Sequence, residues 1–261
     1  MTPVAIDGLI AGAEAAADVA GAVIRPFFRA RLSAELKADD SPVTIADRSA
    51  EQAMRAVLTE RFPDFGVLGE EFGHDRAEAR LCWVLDPIDG TRAFITGRPL
   101  FGTLVALLED GKPILGVIDQ PVTGERWVGA AGRQTIFRGP MGGSAGCRPC
   151  ATLGEAEMSC TGLSLLGGDM PRWQHLADAV RRVSWGGDCY AYGLLALGHI
   201  DVIAEVTMKL WDWAALVPVI EGAGGRITDW SGQPLRPDGD GRVLAVGDSG
   251  LLDAAIARLA G

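Results

Sequence analysis

The chain has 261 residues, 48% of them hydrophobic, and its 24 basic and 34 acidic side chains give a net charge of −10 at pH 7. This length and apolar content are sufficient for a large core, in one domain or in two closely packed lobes. The acidic balance and the lack of a basic run argue against nucleic acid as a partner, and no apolar stretch approaches the roughly 18 residues of a membrane span.

The N-terminal stretch is rich in alanine, but Asp7, Glu14 and Asp18 interrupt it and no basic leader precedes it. This pattern predicts an amphipathic helix rather than a signal peptide. The five cysteines are an odd number, and without an export signal they predict reduced thiols and a cytoplasmic location.

Helix signals in the first third of the chain give way to strand signals. The first helix face comprises Ile6, Leu9, Ile10, Ala13, Val23, Ile24 and Phe27, and the second comprises Ala50, Met54, Val57 and Leu58. We expect the second helix to end near Pro63. Segments 101–108, 114–118 and 125–130, separated by turn residues, predict an antiparallel meander.

The second half of the chain reads as mixed α/β. The glycine-rich segment 139–146 is the best candidate for a flexible loop or lobe boundary, which suggests lobes 1–142 and 143–261. Beyond it, the patterns predict strands at 183–185, 200–204 and 243–246 and helices at 189–197, 212–223 and 251–259.

The segment 83–91, with the sequence WVLDPIDGT, is the most informative part of the chain. Its apolar run predicts a buried strand that ends in Asp86 and Asp89, and the intervening proline stiffens the turn so that both carboxylates can converge. If a helical turn starts at Gly90 and Thr91, its free amides form a site for phosphate beside a bound metal ion.

Two other apolar segments also deliver acids. Glu70 and Glu71 follow the run 67–69, and Asp212 lies between two tryptophans ahead of an apolar helical stretch. Carboxylate oxygens in small numbers, completed by water and substrate phosphate, are the ligands that Mg2+ prefers. The second acid of such a pair is often exposed, so we leave Glu71 outside the predicted metal shell.

Three motifs resemble those of the inositol monophosphatase superfamily in their order and spacing: GEE at 69–71, WVLDPIDGT at 83–91 and WD at 211–212. Segments 43–47 and 221–225 extend the resemblance over most of the chain. Segments 92–97, 187–192 and 211–218 are most similar to the histidinol-phosphate phosphatase branch. The resemblance implies an α/β fold with alternating helix and sheet layers, a homodimer, and an active site between two lobes.

The resemblance also implies a Mg2+-dependent phosphomonoesterase with two or three ions. Glu70, Asp86 and the carbonyl of Ile88 would bind the ion that activates water, and Asp86, Asp89 and Asp212 would bind the second ion, near the leaving oxygen. No covalent phosphoenzyme is implied.

Catalytic and phosphate-binding roles follow from the same resemblance. Thr91 would contact the attacking water, and Asp47 would orient the Thr91 hydroxyl and help to remove a proton. The amides of Gly90 and Thr91 would hold the phosphate.

Each acid also has an ordinary structural explanation. Asp-Pro and Asp-Gly form turns, Asp212 is able to N-cap its helix, and Asp47 suits a first helical turn. These explanations are favoured singly, but together with Glu70 the five acids at family spacing favour a metal site.

The choice of substrate depends on residues outside the metal shell. Histidinol phosphate carries an ammonium and a titratable imidazole, so acids outside the metal shell suit it, and Asp188 and Glu205 are the candidates. Their structural alternatives are a helix N-cap for Asp188 and a solvated strand end for Glu205. Arg92 either lines the pocket or pairs with a surface acid.

Several other functions stay open. Inositol monophosphate, a nucleotide 3'-phosphate or a sugar bisphosphate would suit the same metal cradle. A catalytically silent protein that binds a small phosphorylated metabolite is the non-enzymatic alternative.

Overall fold

The computed structural model describes residues 3–30, 35–36, 42–76 and 78–261. The helices in these ranges are α1 Pro3–Ile24, α2 Ile45–Arg61, α3 Thr91–Ile95, α4 Leu163–Leu166, α5 Met170–Ala177, α6 Asp188–Leu195, α7 Leu210–Trp213, α8 Leu216–Gly222 and α9 Leu252–Ala260. The strands are β1 Glu35–Leu36, β2 Pro42–Val43, β3 Gly66–Gly69, β4 Gly73–Asp75, β5 Leu81–Asp89, β6 Gly102–Glu109, β7 Lys112–Gln120, β8 Glu125–Ala130, β9 Ile136–Arg138, β10 Glu157–Cys160, β11 Arg182–Trp185, β12 Val202–Glu205, β13 Arg226–Thr228 and β14 Val243–Val246.

A seven-stranded sheet carries the strand that ends in Asp86 and Asp89. Its order is β4-β3-β5-β6-β7-β8-β9; β3 and β5 run parallel and the other pairs antiparallel. The predicted antiparallel meander is therefore confirmed as β6-β7-β8. The β6-β7 hairpin turns at Asp110 and Gly111, whose positive φ angles of 48° and 76° suit a tight turn between twisted strands.

The second half of the chain forms a five-stranded sheet of order β11-β10-β12-β14-β13. Strand β10 runs parallel to β11 and β12, and β14 runs antiparallel to β12 and β13. The sequence patterns did not predict β10, β13 or α5, and the strand predicted at 200–204 is β12 at 202–205.

The helix predicted at 212–223 is wrong as a single element, because the structure divides it into α7 and α8. Pro218 lies in the first turn of α8, and a continuous helix would place its ring against the carbonyl of Ala214 and lose one hydrogen bond. The helix predicted at 189–197 is α6, which ends at Leu195, ahead of Gly198 with φ 77°.

The elements stack in alternating helix and sheet layers, as expected. Helices α1 and α2 cover one face of the seven-stranded sheet, α6 and α8 lie between the two sheets, and α5 and α9 cover the far face of the five-stranded sheet. Successive side chains of β6 point to opposite faces of the sheet. Leu104 and Ala106 face the middle layer, while Val105 and Leu107 face α1 and α2.

The described helices include none that is long and apolar enough to cross a membrane. All five cysteines are free thiols. The two sheets draw on residues 66–138 and 157–246, while the division into lobes 1–142 and 143–261 stays a prediction.

Candidate active site

An irregularity at the end of β5 positions Asp86 and Asp89. Asp86 pairs with Leu104 and Asp89 with Gly102, so three steps along β5 match two along β6. Such a bulge turns the strand and re-aims its side chains. A hydrogen bond also holds the main chain at Pro87, because the Thr103 hydroxyl donates to the Pro87 carbonyl oxygen at 2.8 Å. The Ile88 amide donates to Asp86 Oδ1 at 3.0 Å.

Asp212 joins these two carboxylates from α7. Its Oδ2 accepts a hydrogen bond from the Lys209 amide at 2.7 Å, so it does cap its helix, from the third helical position rather than as the N-cap. One carboxylate oxygen from each of Asp86, Asp89 and Asp212 lies within 4.8 Å of the others. We call these three residues the acidic cluster.

Glu70 approaches the acidic cluster from the neighbouring strand. Strands β3 and β5 run parallel, and the Glu70 amide donates to the Leu85 carbonyl at 3.2 Å, which places Glu70 beside the residue preceding Asp86. Burial is the main cause that raises the pKa values of Asp86 and Asp212, and the negative charge of Glu70 adds to it. Glu70 is half-buried, whereas Asp86 is only 1% exposed.

The electrostatics of the acidic cluster favour a cation. Burial, followed by the charges of Glu70 and other carboxylates, raises the pKa of Asp86 well above its usual range, and burial likewise raises that of Asp89. Burial is also the main cause that raises the pKa of Asp212 to about 7. Carboxylates that lie close together and away from water repel one another unless a cation neutralises them. The all-oxygen donor set fits Mg2+.

Asp47 and Thr91 form a hydrogen-bonded pair beside the acidic cluster. Asp47 Oδ2 accepts hydrogen bonds from the Thr44 amide at 2.9 Å and the Thr44 hydroxyl at 2.5 Å, which caps α2. The Thr91 hydroxyl lies 3.4 Å from the other oxygen, Asp47 Oδ1, and 3.1 Å from the Ile88 carbonyl oxygen. Burial raises the pKa of Asp47.

The turn after β5 leads directly into α3, as the sequence suggested. Gly90 is the N-cap residue, with φ 92°, and Thr91 is the first helical residue. The amides at this end of the helix point out of its first turn, because helix geometry offers them no partner inside the helix. These are the amides predicted to hold phosphate, and that role stays a prediction.

A cavity of about 180 Å3 lies next to the acidic cluster. We call it the side cavity; its lining includes Arg92, Arg98, Leu100, Thr161, Gly162, Ser164, Leu165, Trp185, Gly187 and Asp188. Of the residues predicted to contact substrate, Asp188 and Arg92 belong to this lining. Arg98, Thr161 and Trp185 were missed, although Trp185 lies two residues before the segment 187–192 that resembles the histidinol-phosphate phosphatase branch.

Asp188 links the side cavity to the acidic cluster. A Cβ on Gly90 would lie 3.0 Å from Asp188 Oδ2, so this carboxylate packs directly on the turn after β5. The amide of the next residue, Cys189, donates to Asp89 Oδ2 at 2.5 Å. Asp188 has a φ of 44°, in the left-handed region that aspartate and asparagine enter more often than most residues other than glycine. It is the first residue of α6 rather than its N-cap. Burial raises its pKa to about 6, against the opposing charges of Arg98 and Arg92.

Glu205 lies behind the wall of the side cavity. It is the last residue of β12 and is 5% exposed, so the alternative of a solvated strand end is wrong. Its carboxylate accepts a hydrogen bond from the Thr161 amide at 2.6 Å and lies 3.7 Å from the Cys160 thiol. Glu205 thus holds a lining residue in place, and its predicted contact with substrate stays a prediction.

Comparison with known proteins agrees with this architecture. The family model described as inositol monophosphatase family matches residues 6–260. A relative named bifunctional phosphatase IMPL2, chloroplastic, from Arabidopsis thaliana is 44% identical over 97% of this chain and 75% of its own. A histidinol-phosphatase from Mycobacterium tuberculosis is 40% identical over 87% of this chain and 88% of its own.

A solved structure gives the same result at the level of the fold. The structure of an inositol monophosphatase from Zymomonas mobilis superimposes with a TM-score of 0.89 and 47% identity, covering 100% of both chains. The chain therefore belongs to the inositol monophosphatase family of phosphatases.

Proposed function

We propose that this protein is a Mg2+-dependent phosphomonoesterase that hydrolyses L-histidinol phosphate to L-histidinol and phosphate. The observation that carries the substrate assignment is the half-buried carboxylate of Asp188, which lines the side cavity and packs against the turn that follows Asp89. The histidinol-phosphatase relative at 40% identity supports the same choice.

The metal ligands in this proposal are Glu70, Asp86, Asp89 and Asp212, with the Ile88 carbonyl as a further donor. When bound, Mg2+ would polarise the attacking water and neutralise charge on the phosphate and on the leaving oxygen. The crowded carboxylates support this proposal, because burial and the charges of neighbouring carboxylates raise their pKa values, and a bound cation would offset both effects.

Thr91 and Asp47 would handle the proton of the attacking water. When the Thr91 hydroxyl donates to Asp47 Oδ1, 3.4 Å away, its oxygen is free to accept a hydrogen bond from water. Proton transfer through this hydroxyl would deliver the proton to Asp47, whose raised pKa favours its uptake. The amides of Gly90 and Thr91 would orient the phosphate at the start of α3.

The side cavity would receive the organic part of histidinol phosphate. A half-buried carboxylate attracts a cation more strongly than a fully exposed one, so Asp188 would pair with the substrate's ammonium or protonated imidazole. Arg92 and Arg98 are exposed, and water screens their repulsion of the same cation. The indole of Trp185 adds an aromatic wall on which an imidazole ring can pack.

Inositol monophosphate is the second candidate substrate. The observation that favours it is the 47% identity to the Zymomonas mobilis inositol monophosphatase over the whole of both chains. Inositol offers hydroxyls but no cation, so it would gain hydrogen bonds from the side cavity without an ion pair to Asp188.

Parallel phosphate-release assays with L-histidinol phosphate and myo-inositol 1-phosphate, each with Mg2+ and with chelator, distinguish the candidates. We expect Mg2+-dependent release with the higher kcat/KM for histidinol phosphate. Asp188→Asn keeps the side-chain shape and tolerates a positive φ, so it removes mainly the charge. This variant should lower kcat/KM for histidinol phosphate about 10- to 100-fold and for the inositol ester much less.

Two results would contradict the substrate assignment. One is a preference of the unmodified enzyme for the inositol ester, and the other is an equal loss on both substrates in Asp188→Asn. Release from neither substrate would argue against both candidates and favour a protein that only binds phosphorylated metabolites.

A further inference from the structure

Helix α2 carries a second buried carboxylate besides Asp47, that of Glu51, which does not belong to the acidic cluster. It is one helical turn beyond Asp47 and has no solvent exposure. Its Oε2 accepts a hydrogen bond from the Glu71 amide at 2.7 Å. Its Oε1 accepts one from the Phe72 amide at 3.2 Å and one from Arg55 Nε at 2.8 Å. The carboxylate therefore has three donors, two of them main-chain amides.

These two amides directly follow Glu70, the metal ligand contributed by the end of β3. The amide of Glu70 itself is held by the Leu85 carbonyl of β5. The main chain is thus fixed on β5 at Glu70 and on Glu51 immediately afterwards. Two anchors on either side of one side chain restrict the directions in which that side chain can leave the backbone.

Gly69 shows how closely Glu51 approaches this segment. A Cβ at position 69 would lie 1.9 Å from Glu51 Oε1 and 2.7 Å from Oε2. Real Cβ atoms do not come so near another atom, so any larger residue at 69 would force the carboxylate away. Glycine at this position is therefore required by the packing of Glu51 on the main chain and not by its own backbone conformation, since its φ is not in the left-handed region.

Arg55 makes it possible to bury the charge of Glu51. Its guanidinium pairs with Glu51, with Asp75 at 2.8 Å and with the Gly73 carbonyl. A buried carboxylate without such a partner would be costly. The Glu51–Arg55 pair hence joins α2 to the main chain of residues 71–73.

We propose that Glu51 is a positioning residue that fixes the main chain around Glu70 so that the Glu70 carboxylate is already oriented for Mg2+. This inference rests on the proposed function, because it assumes that Glu70 binds the ion. Groups that orient metal ligands typically change metal affinity by about 10- to 100-fold when they are removed. Glu51 is expected to act on Mg2+ affinity and not on the binding of the substrate's organic part.

Glu51→Gln and Gly69→Ala disturb the same contact from opposite sides. Glutamine replaces one acceptor oxygen with an NH2 group that faces donors, and alanine at 69 displaces the carboxylate without removing it. Asp75→Asn is the matched control, because it weakens the outer, 79% exposed partner of Arg55 and leaves the contacts of Glu51 intact. Glu70→Gln provides the reference for loss of the ligand itself.

The readouts are Mg2+ titration by calorimetry, hydrogen exchange without Mg2+, and substrate KM at saturating Mg2+. In Glu51→Gln and Gly69→Ala we expect Mg2+ affinity about 10-fold lower or weaker still, faster exchange at the amides of Glu71 and Phe72, and substrate KM within about twofold of the unmodified protein. Asp75→Asn should match the unmodified protein. If Glu51→Gln does not fold, Gly69→Ala carries the test.

The outcomes separate this inference from the proposed function. Unchanged Mg2+ affinity in Glu51→Gln and Gly69→Ala, while Glu70→Gln loses it, overturns the positioning role alone. An equal loss in Asp75→Asn also overturns it, because the effect would then be general destabilisation. Absence of Mg2+ binding in the unmodified protein, or full binding in Glu70→Gln, overturns the proposed metal site and this inference with it.

Discussion

The buried charge of Glu205 should make the stability of the folded protein depend on pH. Burial raises the pKa of Glu205 from its ordinary 4.5 to about 7, and its hydrogen bonds from Thr161 and Cys160 only partly oppose this effect. Replacement by glutamine keeps the size of the side chain and an acceptor oxygen for the Thr161 amide. The variant Glu205→Gln therefore removes the buried charge with little change in packing.

The direction in which stability changes with pH follows from the pKa values of Glu205 in the folded and unfolded chains. Well below pH 4.5 the carboxyl is protonated in the folded and unfolded chains, so its ionisation makes no difference to stability. Between 4.5 and about 7 the unfolded chain ionises first, and the folded state loses stability as the pH rises. Above that range the loss is complete. At roughly 1.4 kcal/mol per pH unit, it amounts to about 3 kcal/mol.

Urea unfolding of the unmodified protein and Glu205→Gln at pH 5 and pH 8, with chelator present, measures this effect. We expect the variant to be more stable by about 3 kcal/mol at pH 8 and by about 1 kcal/mol at pH 5. The same difference at both pH values would refute the reasoning. So would a less stable variant at pH 8, because the ionised carboxylate would then be favoured by its contacts.

Two further predictions concern the metal site and the packing of the sheets. Mg2+ at about 100 times its dissociation constant should stabilise the protein by about 3 kcal/mol, measured as a higher melting temperature. Asp89→Asn should remove most of this stabilisation and most phosphate release. Full stabilisation of the variant by Mg2+ would contradict the role of Asp89 as a ligand. Gly129→Ala should destabilise by about 3 kcal/mol in denaturant titrations, because its Cβ would meet the main chain of Pro218 and Val219 at 2.3 and 2.4 Å. Gly8→Ala in α1, with nothing within 4 Å, should instead stabilise by up to about 1 kcal/mol, and equal effects of the two changes would refute the packing argument.

Features that depend on neighbouring residues could be predicted from the sequence. The segment 83–91 by itself specifies a buried strand and a helix start, and the structure has β5 and α3 in these places. The turn expected at Pro87 is instead an irregularity within β5, which continues to Asp89. The meander β6-β7-β8 followed from alternation and turn residues for the same reason. The break between α7 and α8 was also local, and Pro218 was the signal that could have revealed it.

Convergence of distant residues was decided by the tertiary structure. The parallel register of β3 and β5 brings Glu70 beside the acidic cluster, and packing of α7 brings Asp212. The Cys189 amide reaches Asp89 across 100 positions of sequence. Glu51, Trp185 and Arg98 acquire their places only through such packing, because hydrophobic periodicity sets which face of an element is buried but not which element lies against it. The sequence by itself thus determined the chemistry of the acids and their local turns, while sheet register and helix packing decided which of them share one site.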